Sequence, residues 1–195
     1  MSEQSPLSLG TEDIKKLLMR YAVPAIVAMT AASLYNMMDS IFIGHGVGAL
    51  GIAGLAVTFP FINLAAAFGS LVGVGASTLV SVKMGQKDLK SAEAVLGNVL
   101  LLNTVIGFLF MTVCLIFLDP ILYFFGASAD TLPYARDYMK VILYGNLITH
   151  IYMGLNEVMR ASGYPQRAMM ATLFAVLING VLNALFIFVL DMGIK

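Results

Sequence analysis

The chain has 195 residues, of which 59% are hydrophobic and 11% are charged, and its formal net charge at pH 7 is zero. A soluble domain has roughly 25% charged residues, so this composition excludes an ordinary soluble fold. The mean hydropathy of +0.90 indicates a membrane protein. Because the charges balance, nothing favours a nucleic-acid partner. The single cysteine, Cys114, excludes an intrachain disulfide framework.

The first 20 residues, MSEQSPLSLGTEDIKKLLMR, do not have the pattern of a signal peptide. They carry acidic residues and a proline, lack a small-residue cleavage site, and lead into an apolar segment that is too long for a signal sequence. We expect residues 1–13 to form a polar cytoplasmic tail. Thr11 is a suitable N-cap for the amphipathic start of the first helix.

Several apolar stretches of the chain reach the ~20 residues that cross a bilayer. A Gly-rich turn, GHGVGALG, follows the first stretch, and segment 119–130 is predicted to be an interfacial connection. Pro24 and Pro60 are expected to kink the first two helices. The sequence therefore predicts an all-α, polytopic membrane protein whose transmembrane region covers residues 14–195. Its five helices are expected at 14–43, 49–82, 92–118, 131–158 and 167–190.

Basic residues are distributed unequally between the two sides that these helices define. With a cytoplasmic N-terminus, the cytoplasmic side holds Lys15, Lys16, Arg20, Lys83, Lys87, Lys90, Arg160 and Arg167. The other side holds Arg136, Lys140 and Lys195. Cytoplasmic loops carry an excess of lysine and arginine. This distribution predicts a multi-pass protein of the plasma (cytoplasmic) membrane with its N-terminus in the cytoplasm.

The second predicted helix has a small residue at every fourth position. These residues are Ala65, Gly69, Gly73, Ser77 and Ser81. Small residues let two helices approach closely, and such contacts hold helices together in a membrane. We interpret this seam as a packing surface, and a backbone-lined path for a substrate is the alternative.

Asp39 lies in the stretch SLYNMMDSIFIGHG, near the end of an apolar run that begins near Tyr21. A carboxylate inside a membrane costs roughly 2.5–3.5 kcal/mol on insertion scales, and such residues commonly serve a function. The alternative is that Asp39 reaches outwards to water at the nearby end of its helix.

Polar side chains form a stripe on each of three predicted helices. The stripes consist of Tyr35, Asn36 and Asp39 in the first helix, Tyr138 and Asn156 in the fourth, and Asn179 and Asn183 in the fifth. At 100° per residue, Tyr138 and Asn156 share a face because they are 18 residues apart. Polar groups in a membrane are satisfied by one another or by water, so we expect the stripes to converge around Asp39. Alternatively, the amides of Asn179 and Asn183 only join helices.

Other polar residues are expected to have structural roles. His45 should be solvated, His150 should be a packing histidine, and Glu157 and Arg160 should form an interfacial ion pair. The chain contains no HExxH, CxxC, GxSxG or Walker A motif, so the sequence does not indicate an enzyme or an ATP-driven pump. A transporter or channel that uses an ion gradient remains.

Three segments resemble the multidrug and toxic compound extrusion (MATE) transporters. They are MMDSIFIGHGVGALGIAGLAVTFP, GVGASTLVSVKMGQKD and NEVMRASGYPQRAMMATLFAVLINGVLNALFIF. Members of that family have about twelve helices in two six-helix lobes, and they export cationic and lipophilic drugs in exchange for Na⁺ or H⁺. The resemblance implies that this chain holds helices 1–5 of the N-terminal lobe. The expected partners are a small-molecule substrate, the lipid bilayer and a C-terminal lobe.

The resemblance also implies roles for the polar stripes. Asp39 matches the carboxylate that couples transport to a proton or cation, which makes it a possible Na⁺ ligand. Tyr138 and Asn156 correspond to polar groups near this acid in some members, and Asn179 matches an asparagine of the fifth helix. Asn183 stands where many relatives have aspartate, so this lobe would have one carboxylate with neutral oxygens around it. No cofactor is implied beyond Na⁺ or H⁺ as the coupling ion.

The mechanism implied by this resemblance is that H⁺ or Na⁺ neutralises Asp39 in a hydrated pocket. Neutralisation lowers the cost of closing the pocket, and a rearrangement of the first helix expels the substrate. One alternative is a flippase for lipid-linked saccharides from the related superfamily, although a diphosphate would call for arginine or lysine in the cavity. The other is a membrane scaffold that does not transport.

Overall fold

The computed structural model describes residues 13–186, and within that range the chain forms helices and no strand. The all-α prediction is therefore confirmed. The helices are α1 (Ile14–Gly46), α2 (Ala49–Gly85), α3 (Leu89–Ile116), α4 (Leu118–Phe124), α5 (Leu132–Ala161) and α6 (Pro165–Ala184).

Four of the described helices are long and apolar enough to cross a membrane, namely α1, α2, α3 and α6. Helix α5 corresponds to the fourth of the five predicted spans. Its 30 residues would extend roughly 45 Å, but its composition does not place it among the apolar helices of residues 13–186. The reason is that α5 buries Asn146, His150 and Asn156 against its neighbours, and these groups lower its hydropathy without facing lipid.

The ends of the elements differ from the predicted ones. Helix α1 begins after Asp13, whose side chain accepts a hydrogen bond from the Lys15 backbone N–H at 2.8 Å, while the predicted cap, Thr11, lies outside the described residues. Most of the predicted Gly-rich turn is helical, because only Gly48 needs a positive φ, of 90°. The end of the fifth predicted helix, 187–190, also lies outside the described range.

The predicted interfacial connection contains helix α4. This helix lies against α5, where Arg136 Nε donates a hydrogen bond to Asp119 Oδ1 at 2.8 Å. A second guanidinium nitrogen of Arg136 bonds the other oxygen of the same carboxylate. This two-point contact fixes α4 on the N-terminal end of α5.

Helices α2, α3 and α5 form a three-helix bundle, in which α2 packs most extensively against α5. Its core includes an aromatic contact in which the ring centroids of Phe61 and Phe110 are 5.6 Å apart, with Met139 and Leu143 fully buried nearby. Helices α1 and α6 pack mainly against each other, and α6 and α1 make smaller contacts with α5 and α2. We call these two helices the α1–α6 pair.

The small-residue seam of α2 is confirmed as a packing surface along half of its length. Ala65, Gly69 and Gly73 are buried, and a Cβ atom on Gly73 would lie 2.8 Å from Gly154 Cα of α5. Ser77 is only half-buried and Ser81 is exposed, while burial continues at other positions of the helix. A strict four-residue spacing rotates about 40° per step around an α-helix, so the seam turns away from α5.

Candidate functional site

Asp39 lies near the C-terminal end of α1 and accepts hydrogen bonds from two other helices. Asn183 of α6 donates from Nδ2 to Asp39 Oδ1 at 2.8 Å. The Tyr138 hydroxyl of α5 lies 3.5 Å from Asp39 Oδ2. Asp39 is half-buried, and its carboxylate faces neighbouring helices. The alternative in which it extends outwards to water is therefore not observed.

Tyr35 adds a second phenol to this site. It lies one turn before Asp39 on α1 and interacts with both Asp39 and Asn183, and it is also close to Tyr138. We call Tyr35, Asp39, Tyr138 and Asn183 the Asp39 cluster. It combines one carboxylate with one amide and two phenols, and it draws on three helices.

Two residues of the predicted shell do not reach the cluster. Asn36 and Asn179 are exposed, and each side chain donates to the carbonyl of its own helix four residues earlier, at 3.0 and 2.9 Å. Their predicted place beside Asp39 is wrong. A four-residue spacing fixes the direction of a side chain around the helix axis, but it does not determine whether a neighbouring helix covers that turn.

Asn156 is also distant from the cluster, although its face was predicted correctly. It is buried, and its Nδ2 donates to the Ala168 carbonyl of α6 at 3.1 Å while its Oδ1 accepts from Arg160 Nε at 3.0 Å. The 18 residues between Tyr138 and Asn156 correspond to roughly 27 Å along the axis. The two residues face the α1–α6 pair at opposite ends of α5, so the polar stripes converge along a line rather than at one point.

A third contact on this line was not foreseen. The hydroxyls of Tyr152 in α5 and Thr172 in α6 are 2.9 Å apart. Thr172 also donates to the Ala168 carbonyl of its own helix at 3.1 Å. The signal was present in the sequence, because Tyr152 lies one turn before Asn156 on the polar face of α5.

The remaining polar expectations have mixed outcomes. His45 is exposed and His150 is buried against Phe110, with ring centroids 5.9 Å apart, so both of those predictions are confirmed. The Glu157–Arg160 ion pair is not among the salt bridges of residues 13–186, since Arg160 donates to Asn156 instead. The described part of the chain also contains no group of three or more histidine, cysteine or acidic residues that could hold a metal.

Chemically, the Asp39 cluster is suited to a change of charge at one carboxylate. Two donors stabilise the ionised form, and protonation would weaken both hydrogen bonds because it removes the charge of the acceptor. The carboxylate, the amide and the two hydroxyls offer oxygen atoms, which are the ligands that hard cations prefer. Asp39 is the one acidic side chain of this cluster.

These observations define the class of the protein: a multi-pass helical membrane protein with a polar cluster at the contact between a helix bundle and a helix pair. The sequence profile of the MatE family matches residues 24–185, and the chain belongs to this family. The resemblance stated from the sequence is thereby confirmed.

Several described relatives agree with this assignment. The chain is 27% identical to the multidrug export protein MepA of Staphylococcus haemolyticus, over 100% of this chain and 43% of that protein. It is 34% identical to the MATE multidrug transporter DinF-BH, whose structure it matches with a TM-score of 0.90 and coverage of 100% and 43%. An outward-facing MATE family transporter of the MOP superfamily is 28% identical, with a TM-score of 0.90 over 97% of this chain and 42% of that one.

The chain thus spans less than half the length of the relatives that it matches. The names of these relatives describe transport or export rather than a chemical reaction. The part of each relative that this chain matches corresponds to the α2–α3–α5 bundle and the α1–α6 pair.

Proposed function

We propose that this chain is the N-terminal lobe of a secondary multidrug antiporter, which exports cationic or lipophilic compounds in exchange for Na⁺ or H⁺. Asp39 is the coupling carboxylate of this lobe. The observation that carries the proposal is the convergence of α1, α5 and α6 on Asp39 through Tyr138 and Asn183. A second lobe provides the other body that alternating access requires.

Coupling follows from the hydrogen bonds that Asp39 accepts. In the ionised state, Asn183 and Tyr138 hold α6 and α5 against α1 through the carboxylate. When a proton binds, Asp39 loses its charge and the two donors lose a strong acceptor. When Na⁺ binds, the carboxylate and neighbouring oxygens turn towards the ion. Either event changes the attachment of the α1–α6 pair to the bundle, and this change drives release of the substrate.

The choice of a cationic or lipophilic substrate rests on charge. No lysine or arginine is part of the Asp39 cluster. Among the α5 residues that bond the α1–α6 pair, Asn156 is bonded to a basic side chain, Arg160, near the helix end. A phosphate-bearing substrate would call for basic groups in its cavity. A compound that carries a positive charge instead competes with the coupling ion for Asp39. The names of MepA, a multidrug export protein, and of DinF-BH, a multidrug transporter, agree with export of drug-like compounds.

The orientation of the chain follows the distribution of its basic residues. We place the N-terminus and the loop that contains Lys87 in the cytoplasm. The Asp39 cluster is then nearer to the outer surface of the plasma membrane, since it lies near the C-terminal end of α1. A coupling ion that enters from outside reaches Asp39 without crossing the whole lobe.

The test is Asp39→Asn in the full-length transporter that contains this lobe. We expect loss of gradient-driven efflux of a cationic dye, because the amide cannot bind a proton and binds Na⁺ poorly. Insertion into the membrane should be retained, since an amide is easier to bury than a charge. Efflux is measured in proteoliposomes with an imposed proton gradient and, separately, an imposed Na⁺ gradient, which also identifies the coupling ion.

Asn36→Ala is the matched control, because Asn36 lies on the same helix but is exposed and bonds only its own backbone. It should transport at the wild-type rate. Normal gradient-driven efflux by Asp39→Asn would refute the coupling role of Asp39.

A further inference from the structure

An open pocket of about 340 Å³ lies where α3 and α4 meet the N-terminal part of α5. Its walls include Ile116 at the end of α3, Asp119 of α4, and Arg136 and Lys140 of α5. Arg136 and Lys140 are four residues apart, so they share a face of α5. Among the described residues that line the pocket, two are therefore cationic and one is anionic.

The charged groups of this pocket can be reached from outside the protein. The side chains of Arg136 and Asp119 are 38% and 43% exposed, and Lys140 is exposed. None of them belongs to the Asp39 cluster. The pocket is thus a second polar region of the molecule, on the surface of the bundle.

Asp119 uses only part of the donor capacity of Arg136. A guanidinium group has five N–H groups, of which one on Nε bonds Asp119 Oδ1 and one on a second nitrogen bonds the other oxygen. Three N–H groups of Arg136 remain without a partner among residues 13–186. Lys140 is not among the ion pairs of that range. The pocket therefore offers several donors and one positive charge that no described carboxylate balances.

The pocket lies at the level of a membrane surface. Helix α3 is long and apolar enough to cross a membrane, and it ends at Ile116, in the wall of the pocket. Lys140 follows the first residue of α5, Leu132, by roughly 12 Å along the axis. A lysine that faces lipid near a helix end extends its ammonium group to the headgroups. Phosphate groups of lipids lie at this level.

Exposed apolar side chains continue from the pocket along α3. Val105, Leu109, Val113 and Ile116 are all exposed, and their spacing places them on one face of the helix. We call them the α3 strip. It is roughly 17 Å long, about half of the ~30 Å hydrocarbon core of a bilayer. Ile116, which is 69% exposed, belongs to both the strip and the pocket, so a cationic surface and an apolar surface meet there.

We propose that this pocket binds the phosphate of an anionic phospholipid, whose acyl chain lies along the α3 strip. Lys140 Nζ and the remaining N–H groups of Arg136 donate to the phosphate oxygens, while Asp119 keeps the guanidinium in place. The net negative charge of the lipid balances the excess positive charge of the pocket, which a zwitterionic lipid does not. Free phosphate offers the same oxygens but would leave the strip uncovered. The site does not depend on the proposed transport, and only its assignment to the outer leaflet follows the proposed orientation.

The experiment uses the full-length protein that contains this chain, reconstituted in lipid vesicles. The chain has no tryptophan, so Ile116→Trp places one fluorescent reporter at the pocket. The same protein without this substitution gives the background from any tryptophan elsewhere. Phosphatidylglycerol and phosphatidylcholine, each brominated at the headgroup end of its acyl chains, quench the reporter when they lie beside it. Mixtures of the two lipids then give their relative affinity for the pocket.

We expect phosphatidylglycerol to be preferred about five-fold, the effect of one exposed ion pair. Lys140→Gln should abolish the preference and Lys140→Arg should retain it. Lys90→Gln is the matched control, because it removes the same charge from an exposed position at the other end of α3, and it should keep the preference. Lys140 is chosen for the test because Arg136 also holds α4 on α5.

Equal affinity for the two lipids would overturn the proposal. A preference that Lys140→Gln and Lys90→Gln lower alike would also overturn it, because attraction to the overall charge of the protein would then explain the result. A reporter that neither lipid quenches would do the same, since another part of the protein would cover the pocket.

Inorganic phosphate separates a lipid headgroup from a free anion. It should lower the preference for phosphatidylglycerol no more than chloride does at equal ionic strength. Loss of the preference in phosphate alone would show a site for free phosphate and would overturn the lipid assignment. These measurements need no ion gradient, so failure of coupling at Asp39 would leave their result unchanged.

Discussion

In the α2–α3–α5 bundle, glycines and buried side chains bring the helices together, whereas most large apolar side chains of the α1–α6 pair remain exposed. Helix α1 buries Pro24, Ala28 and Ile43, and α6 buries Pro165 and Ala168 within its described length. The bundle is held by close packing. The pair makes smaller contacts with the bundle, α6 with α5 and α1 with α2, and on α5 these contacts include the hydrogen bonds of Tyr138, Tyr152 and Asn156.

Two kinds of attachment are therefore present: the bundle is held by close packing, and the α1–α6 pair is attached in part through the carboxylate of Asp39. Close packing does not change when an ion binds, because it depends on shape. A hydrogen bond to a carboxylate does change, because its strength depends on the charge of the acceptor. The Asp39 cluster lies at the contact between the two parts, so the proposed coupling would act on the attachment of the pair and not on the packing of the bundle.

The largest expected effect comes from breaking the bundle at Gly73. In Gly73→Leu the new side chain would overlap Gly154 and force α2 away from α5, at a cost of roughly 1–3 kcal/mol or more. Cys114 is 5% exposed and belongs to the bundle core, so its reaction with a thiol-reactive fluorophore reports the temperature at which the bundle opens. We expect that temperature to fall by several degrees.

Gly75→Leu is the matched control for this substitution. Gly75 lies on the same helix, two residues away, and a Cβ atom there would meet nothing within 4 Å. Its opening temperature should equal that of the wild type. If Gly73→Leu behaved like Gly75→Leu, close packing would not be what holds the bundle.

An intermediate effect is expected at Asn156, and it separates attachment from coupling. Asn156→Leu removes the hydrogen bonds to Ala168 and Arg160, which we expect to lower stability by about 1 kcal/mol. A cysteine introduced by Ala168→Cys, at a fully buried position of α6, should then be labelled about five-fold faster in a Cys114→Ala background. In a separate protein that keeps Cys114 and has no cysteine at position 168, Asn156→Leu should leave the labelling rate of Cys114 unchanged.

Asn179→Leu serves as the comparison variant here, because that exposed amide bonds only its own helix. It should leave both labelling rates unchanged. If Asn156→Leu accelerated labelling equally at position 168 and at Cys114, the bundle and the pair would open together rather than separately.

The smallest effect concerns Asp88, which caps α3 of the bundle in the loop after α2. Its carboxylate accepts from the Ser91 backbone N–H at 3.1 Å. Hydrogen bonding from the Ser91 side chain and then from this N–H, with Lys83 nearby, holds the pKa of Asp88 below its ordinary value. A lowered folded-state pKa contributes stability above the unfolded pKa of about 3.9, and this stability is lost as the pH falls through the folded value.

Asp88→Asn keeps an acceptor for the cap but removes the charge. The wild type should therefore be slightly more stable than Asp88→Asn at neutral pH, and the difference should disappear on acidification below pH ~4. Thermal unfolding at a series of pH values measures it. A difference that persisted in acid would show that the charge of Asp88 is not its source.

The sequence predicted helix type and polar faces well, but it did not predict which turns of those faces meet. Hydropathy alone locates α1, α2 and α3, because each is a long apolar run. The 18-residue spacing correctly places Tyr138 and Asn156 on the face of α5 that meets the pair. It cannot tell that, of these two residues, Tyr138 and not Asn156 reaches Asp39, because the crossing point of two helices depends on packing along their whole length.

The surroundings of His150 could not be predicted for a similar reason. His150 stands out as a polar residue in an apolar stretch, yet it could equally have bonded a neighbouring helix. Its ring fits against Gly69 and Gly107, which come close to it only once α2, α3 and α5 are assembled. Long-range placement of this kind leaves no periodic signal in the chain.

The positions of the polar contacts on α5 have a mechanical consequence. Hydrogen bonds join the pair to α5 at two ends: Tyr138 bonds Asp39 at one end, and Tyr152 and Asn156 bond α6 at the other. The two ends of this contact are roughly 27 Å apart along α5, and the Asp39 end of α1 is also joined to α2 by the short link between Gly46 and Ala49. Loss of the charge on Asp39 would therefore act on one end of the pair only, while the hydrogen bonds at the Asn156 end stay in place.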